Sequence, residues 1–189
     1  MRWGIIGCGD VTEVKSGPAF NKVAGFSLDM VMRRDAAKAE DYARRHQVPR
    51  WTADADELID DPAIDAVYIA TPPSSHLPYA LKVAAAGKPA YVEKPMAMSH
   101  AECLAMVEAF DKANLPLFVA YYRRSLPRFE TVRGWIGEGR IGAVRHLHWS
   151  FARPADGEIH PGNWRIDPAI AGAGYFVDLA SHEIGRAHV

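Results

Sequence analysis

Solid apolar runs and helix-patterned stretches alternate along the first two thirds of the chain. The runs at Trp3–Ile6, Phe26–Met32, Ala66–Ala70, Ala90–Val92 and Leu115–Ala120 carry few polar positions, the pattern of strands covered on both faces. Between them the spacing lengthens to that of helices. A helix is predicted over Val11–Val23 with an interruption near Gly17-Pro18, because proline removes a donor and crowds the preceding turn. Asp35 is placed to cap a helix over Ala36–Arg45, and Asp54–Asp60 predicts a short one. Ser74 or Ser75 can cap the next, which runs to about Ala86 before Gly87-Lys88-Pro89 ends it. Ser99-His100-Ala101-Glu102 is a capping box opening a helix to about Ala113.

Regular alternation with doubly covered strands predicts an α/β fold, a Rossmann-type doubly wound parallel sheet. In such a sheet ligands bind outside the carboxyl ends of the strands. The unusual polar residues cluster there: the glycine turn, Arg33-Arg34, Thr71-Pro72, Glu93-Lys94-Pro95 and Tyr121–Arg124 each follow a predicted strand. Beyond Ala120 the alternation stops. Leu126–Glu138 predicts a helix, Val144–Phe151 alternates like a strand with one wet face, Arg153–Asp167 is a polar loop, and Tyr175–Ile184 reads as a helix. A boundary is therefore placed near Ala120, dividing a first domain, 1–120, from the start of a second, 121–189.

Composition narrows the functions such a fold could serve. The 22 Lys and Arg nearly balance the 23 Asp and Glu, so no global field favours nucleic acid or an anionic membrane, and any anion must be bound locally. No stretch approaches the ~18 apolar residues of a membrane span. The two cysteines, Cys8 and Cys103, form no disulfide framework and have no metal-ligand spacing, which points to a reducing cytoplasm. Cys8 reads as a small packing residue. His76, His100, His146, His148 and His160 carry no partner at metal-ligand spacing, so no metal site is expected.

The first strand opens into Gly7-Cys8-Gly9-Asp10-Val11-Thr12. In a phosphate-binding turn one glycine permits the tight bend and another lets the backbone approach a pyrophosphate, roles that fit Gly7 and Gly9, with Asp10 and Val11 following in the turn. The third glycine of the fingerprint is replaced by Thr12, and a glycine-rich turn without a ligand fits the motif equally well; the strand-first context must decide. An acidic residue about 20 positions further on would hold the free ribose hydroxyl of NAD, whereas arginine accommodates the 2′-phosphate of NADP. Arg33-Arg34 stands there, with a solvated strand end as the alternative. Replacing Arg33 is accordingly expected to weaken NADP and leave NAD nearly unchanged. Lys94, before a proline whose peptide bond can be cis, could polarise a carbonyl or stabilise an alkoxide. Asp178 and His182 share one face of a helix at i and i+4, so the carboxylate could tune the imidazole; such pairs are more often surface pairs.

The combination of Gly4-x-x-Gly7-x-Gly9, Thr71-Pro72-Pro73-Ser74-Ser75-His76, Gly87-Lys88-Pro89-x-x-Val92-Glu93-Lys94-Pro95 and Trp164-Arg165-x-Asp167-Pro168 through Asp178-x-x-x-His182 resembles the glucose–fructose oxidoreductase, inositol dehydrogenase and MocA (Gfo/Idh/MocA) family. The resemblance runs over essentially the whole chain, and Glu93-Lys94-Pro95 is its most specific part. It implies a first domain that binds NADP or NAD. It also implies a second α+β domain, built on an open, mostly antiparallel sheet, that holds a sugar, polyol or related alcohol and joins copies into homo-oligomers. Residue by residue, it implies that Lys94 is the catalytic lysine, Asp178 the motif aspartate and His182 the proton-transferring histidine. Thr71, Pro72 and His76 would form the cofactor-contacting turn, with Glu93 and Lys94 beside it, and Arg165 would lie on the substrate side. The expected activity is hydride transfer between nicotinamide and a secondary alcohol of a sugar, polyol or dihydrodiol; the alternative is a dinucleotide-sensing protein without turnover. Because the usual apolar helix after the histidine is replaced by Glu183–Val189, the chain is expected to be a C-terminally truncated member, competent for cofactor but poor as an enzyme.

Overall fold

The computed structural model describes residues 1–148, 150, 163–172, 178 and 182. The chain divides into two compact units, Met1–Ala120 and Tyr121–Val189.

In the first unit, β1 (Arg2–Ile6) lies between β2 (Ser27–Met32) and β4 (Ala66–Ile69), with β3 (Arg50–Thr52) outside β2, and β5 (Ala90–Val92) and β6 (Leu117–Val119) outside β4. Every pairing is parallel, and the order β3-β2-β1-β4-β5-β6 is that of a doubly wound dinucleotide fold. Two separate cores show that both faces are covered. Ile6, Met32, Val67, Ile69, Leu58, Val83 and Phe110 form one; Ile5, Val31, Tyr68, Phe20, Tyr42 and Trp3 form the other. Successive strand residues go to opposite faces, so Ile5 and Ile6 each enter a different core and neither can be polar.

The helices follow the cap chemistry with two exceptions. Helices α1 (Asp10–Val14) and α2 (Gly17–Phe20) are split where the Gly17-Pro18 signal places the interruption. Asp35 accepts from the Lys38 amide at the start of α3 (Ala36–His46), and Asp54 from the Asp56 amide at the start of α4 (Ala55–Asp60). Ser75 does not cap α5 (His76–Ala85); its hydroxyl turns back to the Pro72 carbonyl within a 3-10 turn over Pro73–Ser75. At α6 (His100–Ala113), Ser99 accepts from the Glu102 amide while the Glu102 carboxylate accepts from Met98 N, one residue earlier than a standard capping box. Hydrophobic patterning also does not foresee β3, a three-residue edge strand.

The second unit begins with a 3-10 turn over Tyr122–Ser125 and α7 (Pro127–Gly137), close to the expected helix. Of the strand expected over Val144–Phe151, the described stretch Val144–His148 has no strand geometry and is exposed, Leu147 by 66%. A strand needs a neighbour to take its backbone groups, and none pairs with it among the described residues. Residues 149 and 151 of that expectation lie outside the described set, as do 153–162 of the expected loop. A second 3-10 turn, Trp164–Ile166, and α8 (Pro168–Ala171) follow. Of the helix expected over Tyr175–Ile184, only Asp178 and His182 are described, and both are helical. No helix among the described residues is long and apolar enough to cross a membrane.

Candidate functional site

All six strands point the same way, so their carboxyl ends form one edge. The crevice of that edge opens between β1 and β4, where strand order reverses. Gly7 follows β1 with φ +90°, a conformation in which a side chain is strained, and a Cβ there would lie 2.8 Å from Thr71 Cγ2 and 2.9 Å from Thr71 N. Its amide and that of Cys8 both donate to the Met32 carbonyl, at 2.9 and 3.2 Å. The bend is thus welded to β2 on one side and pressed against the Thr71 turn on the other.

Gly9 differs from Gly7. Its φ of −140° is ordinary extended backbone, and an added Cβ would meet only the Gly7 carbonyl oxygen, 3.9 Å away. Neither packing nor conformation within this chain calls for glycine there, whereas the close approach of a bound diphosphate does. The Thr71 hydroxyl, buried and without a hydrogen-bond partner in the protein, is a second sign that this crevice suits a polar ligand. These residues fit a dinucleotide.

Arg33 leaves β2 at the same edge, and its Nη1 donates to the Cys8 carbonyl at 3.1 Å. Arg34 beside it is exposed, and Asp35 is occupied as the cap of α3. Cys8 itself is fully buried, and burial pushes its thiol up to about 11. A neutral, packed thiol is no nucleophile.

Across the crevice, the Thr71 turn and the turn after β5 are joined by His76. Its Nε2 lies 2.8 Å from the Thr71 carbonyl and its Nδ1 2.9 Å from that of Pro95. Burial holds this imidazole below its ordinary value, against the pull of the three carbonyls around it. Fully enclosed, His76 serves the site by fixing both turns. Pro72 lies at the mouth of its turn, half-buried. Lys94 follows β5 and precedes Pro95 through a cis peptide bond. Glu93 faces inward: Oε1 accepts from the Tyr68 hydroxyl at 2.6 Å and Oε2 from the Lys94 amide at 3.1 Å. Burial first, and the Glu93 charge second, push the Tyr68 phenol far upward, so it remains a donor. The Tyr68–Glu93 pair is a site element that the sequence reading missed, although a tyrosine in an otherwise apolar strand signals a hydroxyl in need of a partner.

In the second unit, His182 is buried, and its ring meets those of Tyr121 and Tyr122 edge-on at 6.0 and 5.3 Å. Asp178, one helical turn earlier, is half-buried. Arg165 stacks its guanidinium over Trp164 at 4.7 Å, within the short turn that Asn163 caps.

The chain matches two family models, an oxidoreductase family with an NAD-binding Rossmann fold over residues 1–121 and the GFO/IDH/MocA C-terminal domain over residues 129–189. It therefore belongs to the GFO/IDH/MocA oxidoreductase family. Oxidoreductase P35 of Formosa agariphila is 45% identical over 187 residues, which is 97% of this chain and 58% of that protein. Among solved structures, levoglucosan dehydrogenase in complex with NADH and levoglucosan is 30% identical with a TM-score of 0.82, covering 99% of this chain and 52% of that one. Aldose-aldose oxidoreductase from Caulobacter crescentus is 27% identical with a TM-score of 0.85, covering 99% and 56%. The chain spans little more than half the length of these relatives.

Proposed function

We propose that the protein is an NADP-preferring oxidoreductase acting on a secondary alcohol, or the matching carbonyl, of a sugar, polyol or dihydrodiol. The observation that carries this reading is that the glycine turn, Arg33, Thr71 and Lys94 all lie just beyond strands at the carboxyl edge of one parallel sheet, with the glycine turn and Thr71 facing each other at its switch point. Gly7, Gly9, Asp10, Val11 and the Thr71-Pro72 turn hold the dinucleotide, with Arg33 and Arg34 toward the 2′-phosphate. A dinucleotide held there would supply hydride transfer to and from the substrate carbon. His182 takes the hydroxyl proton as the alcohol is oxidised and gives it back in reduction. The Lys94 ammonium stabilises the developing alkoxide, Asp178 orients and charge-balances the imidazole, and Arg165 contacts substrate. The whole protein works in the cytoplasm, and copies associate through an open sheet in the second domain.

The deciding experiment is a dehydrogenase screen of the whole protein over aldoses, anhydrosugars, inositols, other polyols and dihydrodiols, with NADP and NAD in parallel. Turnover with at least one alcohol, faster with NADP, is expected. Tight dinucleotide binding without turnover on any of them would overturn the enzymatic reading and leave a sensing role.

A further inference from the structure

Thr12 stands where a third glycine would let the helix after the turn pack closely, and its surroundings show another way of holding that helix. The residue is fully buried. Its amide and its hydroxyl both donate to the Gly9 carbonyl, at 2.9 and 2.8 Å. In a planar trans peptide the carbonyl and the next amide point in opposite directions, so two bonds that draw the Gly9 oxygen inward turn the Asp10 N–H outward, to the open side of the turn. Thr12 is held in its turn by Tyr42 of α3, whose buried hydroxyl donates to the Thr12 carbonyl at 2.8 Å. The fit leaves no room: a Cβ on Gly17 would come within 2.3 Å of both the Thr12 oxygen and the Tyr42 hydroxyl. A second contact braces the same two helices, with Arg45 of α3 gripping both oxygens of Glu13 at 2.7 Å.

We propose that Tyr42 is a positioning residue for the diphosphate-binding turn, acting through Thr12 to hold the Gly9–Asp10 peptide with its N–H presented to the cofactor. This rests on the dinucleotide reading above. It assigns α3 two tasks, since the helix that follows Arg33 and Arg34 also sets the orientation of the turn. Affinity for any ligand carrying the diphosphate therefore depends on a phenol that does not touch it.

The test is calorimetric titration of the 189-residue chain and of Tyr42→Phe, Thr12→Val, Thr12→Ser and the Phe/Val double variant with NADP, ADP-ribose and 2′-AMP, beside urea unfolding of each. Tyr42→Phe and Thr12→Val are each expected to raise Kd for NADP and ADP-ribose about five- to tenfold, the effect of one lost hydrogen bond. Binding of 2′-AMP, which has no diphosphate, should stay within twofold. Thr12→Ser retains the hydroxyl and should retain affinity, and the double variant should lose less than the product of the single losses, because both act on one peptide. A merely structural role would lower the urea midpoint and leave the Kd of the folded protein alone, so unchanged Kd for NADP and ADP-ribose in both single variants would overturn the proposal. Should Tyr42→Phe fail to fold, the Thr12→Val and Thr12→Ser pair decides the same point. Failure of the unmodified chain to bind any dinucleotide would instead overturn the cofactor reading, and this inference with it.

Discussion

The Arg33 guanidinium donates to the Cys8 carbonyl at 3.1 Å, so the residue proposed to meet a 2′-phosphate also holds the turn proposed to meet the diphosphate. The two arginines should therefore separate on mutation. Arg34→Ala is expected to weaken NADP about tenfold, the scale of one charge-assisted phosphate contact, and to leave NAD within twofold. Arg33→Ala should weaken both cofactors, because both need the turn, which revises the expectation that NAD would be spared. Fluorescence titration of each variant with each dinucleotide checks this. Equal NAD affinity in Arg33→Ala and the unmodified chain would show that the Cys8 contact is idle.

Acid should loosen the brace between α1 and α3. Hydrogen bonds from Arg45, with His46 adding a smaller effect, hold Glu13 down to about 2, against an ordinary 4.5. A carboxylate lowered on folding contributes stability that is complete above its unfolded value and is lost as pH falls toward the folded one. With its side chain 29% exposed, Glu13 is expected to contribute about 1 kcal/mol after solvent screening, lost between pH 4.5 and 2. Urea unfolding at pH 6 and pH 3 measures the drop, and Glu13→Gln should flatten it. An equal drop in that variant would place the acid sensitivity in another carboxylate.

Tyr68→Phe changes no shape in the core but takes the donor from Glu93 Oε1. Removing a hydrogen bond to this half-buried carboxylate costs about 1 kcal/mol, so the variant should unfold at lower urea. Tyr68→Phe with Glu93→Gln should recover part of the loss, since a neutral amide tolerates the site better than an unpaired charge. Equal midpoints for the unmodified chain and Tyr68→Phe would mean that water satisfies Glu93 as well as the phenol does.

In the whole protein, His182→Ala should cost about 10²–10⁴-fold in alcohol oxidation and remove the rise of rate with pH that a titrating imidazole imposes. Lys94→Ala should lower turnover while the cofactor still binds. Steady-state kinetics from pH 5.5 to 9 with direct cofactor titration separates the two, and a His182→Ala enzyme with an intact pH profile would move proton transfer elsewhere.

Much of the sheet was legible because its strands are covered on both sides. Ala66–Ile69 is completely buried, so each position is apolar and the run stands out against its neighbours. Arg50–Thr52 escaped for the opposite reason: as a short edge strand it pairs only with β2 and leaves Trp51 40% exposed, so its composition is that of a loop. Val144–His148 misled because alternation records a tendency to pair, and pairing needs a second strand. At the site, residue types at strand ends were readable, and their partners were not. Nothing in local spacing says that Tyr42 reaches Thr12 or that Tyr68 reaches Glu93, contacts 30 and 25 residues apart that exist only once the strands are side by side.

The central place of β1 in the sheet bears on how the protein is made. Its β4 partner begins at Ala66, and chains leave the ribosome at roughly 5–20 residues per second, so one edge of the first strand waits several seconds for its neighbour. The glycine turn waits with it, since Gly7 packs against Thr71. During synthesis, therefore, the cofactor crevice cannot close until the chain is past Thr71, and a slow stretch of translation between β2 and β4 would lengthen the time that Ile5 and Ile6 stand open to association with other chains.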